Sequence, residues 1–154
     1  AQTHRRKRRV PQAADIPCDT SGAEIPSGQR RWIGRRYMTQ TYKGGCHCGA
    51  VQYELTADLA GAMECNCSIC AKRGALWAFA KPDQIKILKG EDAVSDYQFG
   101  KKRIHHLFCR TCGVGSFSRG NGPDGSLSYA VNVRCLEGVD PSELKITPFD
   151  GKSM

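Results

Sequence analysis

At 154 residues the chain is long enough for one domain with a real core. It contains no apolar run near the ~20 residues of a membrane span and no hydrophobic signal-peptide core, so a cytoplasmic protein without a membrane partner is expected. The net charge of +8 is uneven: residues 1–37 hold nine basic against three acidic residues, and residues 38–154 fourteen against twelve. The basic balance therefore sits in a leader and says little about the partners of the rest.

Residues 1–37 are expected to form a disordered or extended basic leader. Arg5-Arg6-Lys7-Arg8-Arg9 is a basic run, and Pro11, Pro17, Gly22, Pro26 and Gly28 break any helical or strand period. Such a segment suits a nucleic-acid arm, a transit peptide, or an extension upstream of a natural start at Met38. The last is favoured, with nucleic acid not expected as a partner. Cys18 falls in this leader and is expected to take no part in a site.

From Tyr42 the pattern changes, and residues 38–154 read as one zinc-binding domain. Cys46-His47-Cys48 lies between glycines, which let two sulfurs converge on one ion. In the following stretch Val51, Tyr53 and Leu55 alternate with Gln52, Glu54 and Thr56, the signature of a half-buried strand. Cys65-Asn66-Cys67-Ser68-Ile69-Cys70 comes next, with a short helical turn expected to end at Gly74. Residues 75–80 read as a buried strand stopped by Pro82, and residues 84–89 alternate again. Residues 94–99 and 103–108 read as a strand pair turning at Gly100-Lys101-Lys102. Cys109 to Gly113 forms a second knuckle. Residues 114–118 lead into a loop over residues 119–125, residues 127–133 form a strand, residues 141–144 a turn, and residues 145–148 an edge strand. No segment keeps a 3.6-residue period, so an all-β domain with small sheets is expected, with metal compensating for a modest core.

The nine cysteines decide the chemistry. Thiols separated by one or two residues are poor disulfide partners for each other and good claws for a metal. Seven thiols in three tight groups divide as four plus three. Cys46, Cys48, Cys109 and Cys112 would close a structural zinc site. Cys65, Cys67 and Cys70 would hold a zinc ion with its fourth position open. A fourth protein ligand could come from His47, His105, His106 or Cys135, although each also reads as an ordinary packed or solvated side chain. Three thiolates on Zn2+ leave a net charge of −1, which disfavours making hydroxide and suits an incoming thiol, held as the nucleophilic thiolate. The residues thus point to thiol activation toward a carbonyl. Lys72 and Arg73, beside the loop, could hold an anionic substrate or be plain surface charges.

Five stretches carry a resemblance: residues 44–51 around Cys46-His47-Cys48, Cys65 to Cys70, Phe108-Cys109-Arg110-Thr111-Cys112-Gly113, Val131-Asn132-Val133-Arg134-Cys135-Leu136, and Phe149-Asp150-Gly151-Lys152. Over about residues 42–152 the chain resembles the glutathione-dependent formaldehyde-activating enzyme family, which includes the centromere protein V group. The resemblance implies an Mss4-like fold of several small coiled antiparallel β-sheets stapled by zinc. It implies two zinc ions per chain: a structural one on Cys46, Cys48, Cys109 and Cys112, and a catalytic one on Cys65, Cys67 and Cys70. It implies a carbon–sulfur lyase of the S-(hydroxymethyl)glutathione synthase type, with glutathione and formaldehyde, or a related small aldehyde, as partners. Two other readings compete. One is a non-catalytic zinc module whose basic leader contacts nucleic acid. The other is an enzyme like methionine sulfoxide reductase that uses Cys135, in which the central three cysteines would have no role.

Overall fold

The computed structural model describes residues 39–122 and 124–154; the expectations for the leader, Cys18 and Met38 lie outside them. In chain order the strands are β1 (Gln40–Gly45), β2 (Gln52–Ala57), β3 (Gly61–Cys65), β4 (Leu76–Ala80), β5 (Ile85–Lys89), β6 (Val94–Tyr97), β7 (Ile104–Cys109), β8 (Phe117–Asn121), β9 (Leu127–Asn132) and β10 (Lys145–Phe149). One short α-helix, α1 (Cys70–Arg73), is present among these residues.

The strands form two sheets, ordered β1-β2-β5 and β10-β3-β4-β9-β8-β7-β6. The all-β expectation holds, but the second sheet is seven strands wide. Its outer strand β10 is parallel to β3, while the other pairings are antiparallel.

The alternation after the first cysteine pair sets the core. Val51, Tyr53 and Leu55 are fully buried, while Gln52 and Thr56 stay exposed. They pack with Phe117 of β8 and with Val131 and Val133 at the end of β9. Tyr53 meets Phe117 edge to face at 5.5 Å. Burying each aliphatic side chain of this size contributes about 2 kcal/mol. The core thus clamps the narrow sheet onto the middle of the wide one.

Three local expectations change. Phe79 on β4 is 59% exposed, because alternation turns it away from the core that Ala78 and Ala80 enter. The turn-rich stretch from Arg119 does not become a loop at once. Arg119, Gly120 and Asn121 pair with Tyr129, Ser128 and Leu127, so ladder hydrogen bonds override poor strand propensity. What remains is a tighter turn, in which the Gly122 N–H donates to the Ser126 carbonyl at 2.7 Å and Asp124 Oδ1 accepts from the N–H and hydroxyl of Ser126. The last strand is an edge strand as expected, but its parallel pairing sets Phe149 beside Cys65.

Two cysteine centres and an adjoining groove

The first centre joins two knuckles of the same build. Cys46 follows β1, and Cys109 ends β7. Each donates its N–H to a carbonyl five residues on, Cys46 to Val51 at 3.0 Å and Cys109 to Val114 at 2.9 Å. Gly49 and Gly113 close the turns in the left-handed region, at φ 71° and 76°, where a Cβ would be strained. The closed turns aim backbone donors at sulfur: the Val51 N–H to Cys46 Sγ at 3.3 Å and the Thr111 N–H to Cys109 Sγ at 3.4 Å. The sulfurs of Cys46, Cys48, Cys109 and Cys112 all lie within 4.8 Å of one another, with Cys48 3.6 Å from both Cys46 and Cys109. Four thiols this close compete for ionisation. Burial opposes ionisation of Cys109, but the N–H groups of Cys112 and Thr111 and the neighbouring thiols outweigh it, bringing it to about 6. Desolvation and the adjacent thiols push Cys48 up to about 12. A bound cation relieves that competition, and the four sulfurs are close enough to hold a metal ion.

The second centre gathers Cys65, Cys67 and Cys70, again within 4.8 Å. Cys65 ends β3, and Cys70 opens α1. The helix stops after one turn because Gly74 adopts φ 60° and returns its N–H to the Cys70 carbonyl at 2.9 Å. Cys67 lies on the intervening loop, with its N–H 3.5 Å from Cys65 Sγ. The buried Trp77 of β4 donates its indole N–H to Cys70 Sγ at 3.3 Å. Burial pushes Cys70 up to about 12, with the Trp77 hydrogen bond opposing and the other two thiols adding. Burial also resists ionisation of Cys67, but donors from Cys70 and Ile69 and the adjacent thiols bring it below the usual thiol value. This group too can hold a metal ion, and among the described residues it gathers only three ligand atoms.

None of the four candidate fourth ligands joins it. His47 is exposed and stands in the sequence between two cysteines of the other centre. His105 Nδ1 contacts Asp96 Oδ2 at 2.6 Å. His106 is buried and stacked on Phe99 at 5.4 Å, and burial, followed by the charge of Arg73, lowers its pKa. Cys135 is half-buried, and burial pushes its thiol up.

The sequence reading gave the C-terminal motif no structural role. After Phe149, the chain turns over the three-cysteine loop. The Asn66 N–H donates to the Phe149 carbonyl at 3.2 Å, its side-chain amide donates to Asp150 Oδ1 at 2.9 Å, and its Oδ1 accepts the Lys152 N–H at 2.9 Å. A Cβ on Gly151 would stand 2.6 Å from Cys65 Sγ and 3.1 Å from Cys67 Cβ, so only glycine fits there. The signal was Asn66 between two cysteines together with the late Asp150-Gly151, residues that nothing local joins.

Alternation places Trp77 and Phe79 of β4, Ala130 of β9, Ser118 of β8 and Ile104 of β7 on the outer face of the wide sheet. Ala130 packs against the apolar support of the three cysteines, made by Cys65, Ala75 and Trp77. From there a groove of about 220 Å³ runs past Phe79, Ser118 and Ile104.

Fold and site together define an all-β protein with two thiol-built centres able to take metal ions, one closed and one open. A sequence profile of the family described as glutathione-dependent formaldehyde-activating enzyme matches residues 41–147, and the chain belongs to that family. It is also similar to a Rhodobacter sphaeroides protein of known crystal structure, at 41% identity and a TM-score of 0.60. That match covers 69% of this chain and 97% of the other. Among the described residues no helix is long and apolar enough to cross a membrane.

Proposed function

We propose that the chain is a zinc-dependent carbon–sulfur lyase-type enzyme that adds glutathione to formaldehyde, giving S-hydroxymethylglutathione. Cys46, Cys48, Cys109 and Cys112 hold the structural zinc, and Cys65, Cys67 and Cys70 hold the catalytic one. The observation that carries the reading is the open centre: among the described residues three sulfurs gather with no fourth ligand atom. Family membership supplies the two substrates.

Zinc suits these sulfurs. Tetrahedral thiolates about 2.3 Å from an ion stand about 3.8 Å from each other, and the separations of 3.6 Å at Cys48 come close to that. All eight cysteines of the described residues are free, which suits the reducing cytoplasm we propose as the setting.

When bound at the open centre, the ion supplies the positive charge that keeps an incoming thiol ionised near neutral pH. The three cysteines set that charge and leave one side free. Trp77 holds Cys70 in place, and the turn at Gly151 closes the back of the loop. The reaction balances without a redox partner. The sulfur pair forms the S–C bond, the carbonyl π bond breaks toward oxygen, and the thiol proton ends on that oxygen as the new hydroxyl.

The test is metal analysis of fresh, reduced protein, combined with exchange NMR of a glutathione–formaldehyde mixture. Two zinc ions per chain and faster formation of the adduct, lost in Cys67→Ser, are expected. Adduct formation at the uncatalysed rate by the two-zinc protein would refute the reading.

A further inference from the structure

The two basic residues of α1 end in different places: Lys72 is exposed, and Arg73 turns in over Gly115, where its Nη1 is buried. The cations that gather around one open hollow lie elsewhere. Cys65 ends β3 and Cys109 ends β7, so both cysteine centres belong to the end of the wide sheet where Trp77 faces Asn132 and Phe117 faces Val131. At the opposite end, where Ile104 faces Gly120 and Asn121 faces Leu127, a concavity of about 610 Å³ opens. It shares no lining residue with either cysteine centre or with α1.

Lys102, Arg103 and Arg119 line this concavity together with His105 and Leu127, and no carboxylate does. Arg119 stands directly opposite His105 across the β7–β8 ladder, on the same face. Among the described residues the ion pair present is His105–Asp96 at 2.6 Å, so none of the three cations has a carboxylate partner there. Asp124, in the neighbouring turn, gives its Oδ1 to Ser126. Residues 38–154 as a whole carry fourteen basic against twelve acidic residues, so this hollow concentrates a charge that the rest of the domain balances. Lys102 is also held where a lysine is unfavourable. Its φ of 51° lies in the left-handed region, and no other non-glycine among the described residues has a positive φ. Its N–H donates to the Phe99 carbonyl at 3.0 Å, and its carbonyl accepts the Gln98 side-chain amide at 3.0 Å, which pins the turn. Glycine would suit that backbone better, yet a lysine stands there and points its charge at the hollow.

We propose that this concavity is a second binding site, for a small organic phosphate. Two guanidinium forks and one ammonium match the several oxygens and double charge of a phosphate monoester better than they match a single carboxylate. The volume is more than an inorganic ion fills and lies in the range of small-molecule sites. Leu127, 40% exposed, supplies an apolar wall for the organic part of the ester. The site is independent of the thiol chemistry at the other end of the sheet.

The test is an amide-detected NMR titration of the full-length two-zinc protein with phenyl phosphate, with inorganic phosphate and with a single-stranded oligothymidylate. Phenyl phosphate is expected to move the signals of Lys102, Gly120, Gly122 and Gly125 to saturation, and to bind several-fold more tightly than inorganic phosphate because of its ring. Arg119 is exposed, so Arg119→Gln is expected to fold, to bind phenyl phosphate roughly tenfold more weakly, and to form the glutathione–formaldehyde adduct as the wild type does. Lys102→Gly is expected to weaken binding without lowering the melting temperature, because it releases the left-handed lysine. Absent or unsaturable shifts at those four residues, or shifts confined to the run from Arg5 to Arg9, would overturn the proposal. So would an unchanged affinity in Arg119→Gln. If the oligothymidylate moves these signals and phenyl phosphate does not, the surface contacts nucleic acid and the small-molecule site falls.

Discussion

The two cysteine centres are made of the same atoms and are built differently. At the four-cysteine centre each pair is framed by its own strands and a glycine turn, and Cys46 and Cys109 are buried. Its sulfurs come from distant parts of the chain, so an ion there ties the first hairpin to the β7–β8 region. At the three-cysteine centre all ligands come from one loop. Support arrives from outside that loop, through Trp77 on one side and the turn at Gly151 on the other. Loss of ligands from the first centre should therefore be felt by the fold, and from the second by the chemistry.

The sharpest break in that contrast is Cys109→Ser. Structural zinc sites carry on the order of 10 kcal/mol of folding free energy, comparable to the whole stability of a domain. The variant is expected to lose its cooperative thermal transition; a transition at the wild-type temperature would remove the structural role. Cys67→Ser is expected to keep the far-ultraviolet spectrum, fall from two zinc ions to one, and lose turnover. Gly151→Ala comes next, because its methyl collides with Cys65 Sγ. Competition with a chelator should show roughly tenfold weaker retention at the open centre alone, and unchanged retention would show that the turn is a bystander.

Acid should separate the centres as well. Protons compete for sulfur, so affinity falls as pH falls. Each centre holds one thiol pushed up to about 12, Cys48 in the closed one and Cys70 in the open one, so the difference comes from ligand count, four sulfurs against three. Zinc is expected to leave the open centre at a higher pH than the closed one, followed by metal release during a pH titration. Release in the reverse order would contradict the assignment. The smallest effect is expected from Asn66→Ala, which removes two hydrogen bonds worth about 1 kcal/mol each and should raise zinc exchange at the open centre a few-fold.

What was legible in the sequence follows the same division. The grouping of seven cysteines could be read because ligands one or two residues apart need no tertiary information. The core strand could be read from Val51, Tyr53 and Leu55, and the end of α1 from Gly74. Contacts across long separations left no local period. Asn66 and Asp150 lie 84 residues apart, and neither hints at the other. The parallel pairing of β10 and the inward turn of Arg73 share that character. Phe79 was misjudged because an apolar run reads as buried on both faces, although here one face opens on a groove.

The matched knuckles bear on how the molecule assembles. Each closes within five residues, so Cys46 and Cys48, and likewise Cys109 and Cys112, can be paired before distant segments meet. What remains is a single long closure, between residues 61 positions apart at Cys48 and Cys109. Its entropy cost is about 4 kcal/mol, well below what an ion shared by four thiolates returns. The two short turns thus suit an assembly in which pre-shaped pairs form first and one clasp then brings the halves together.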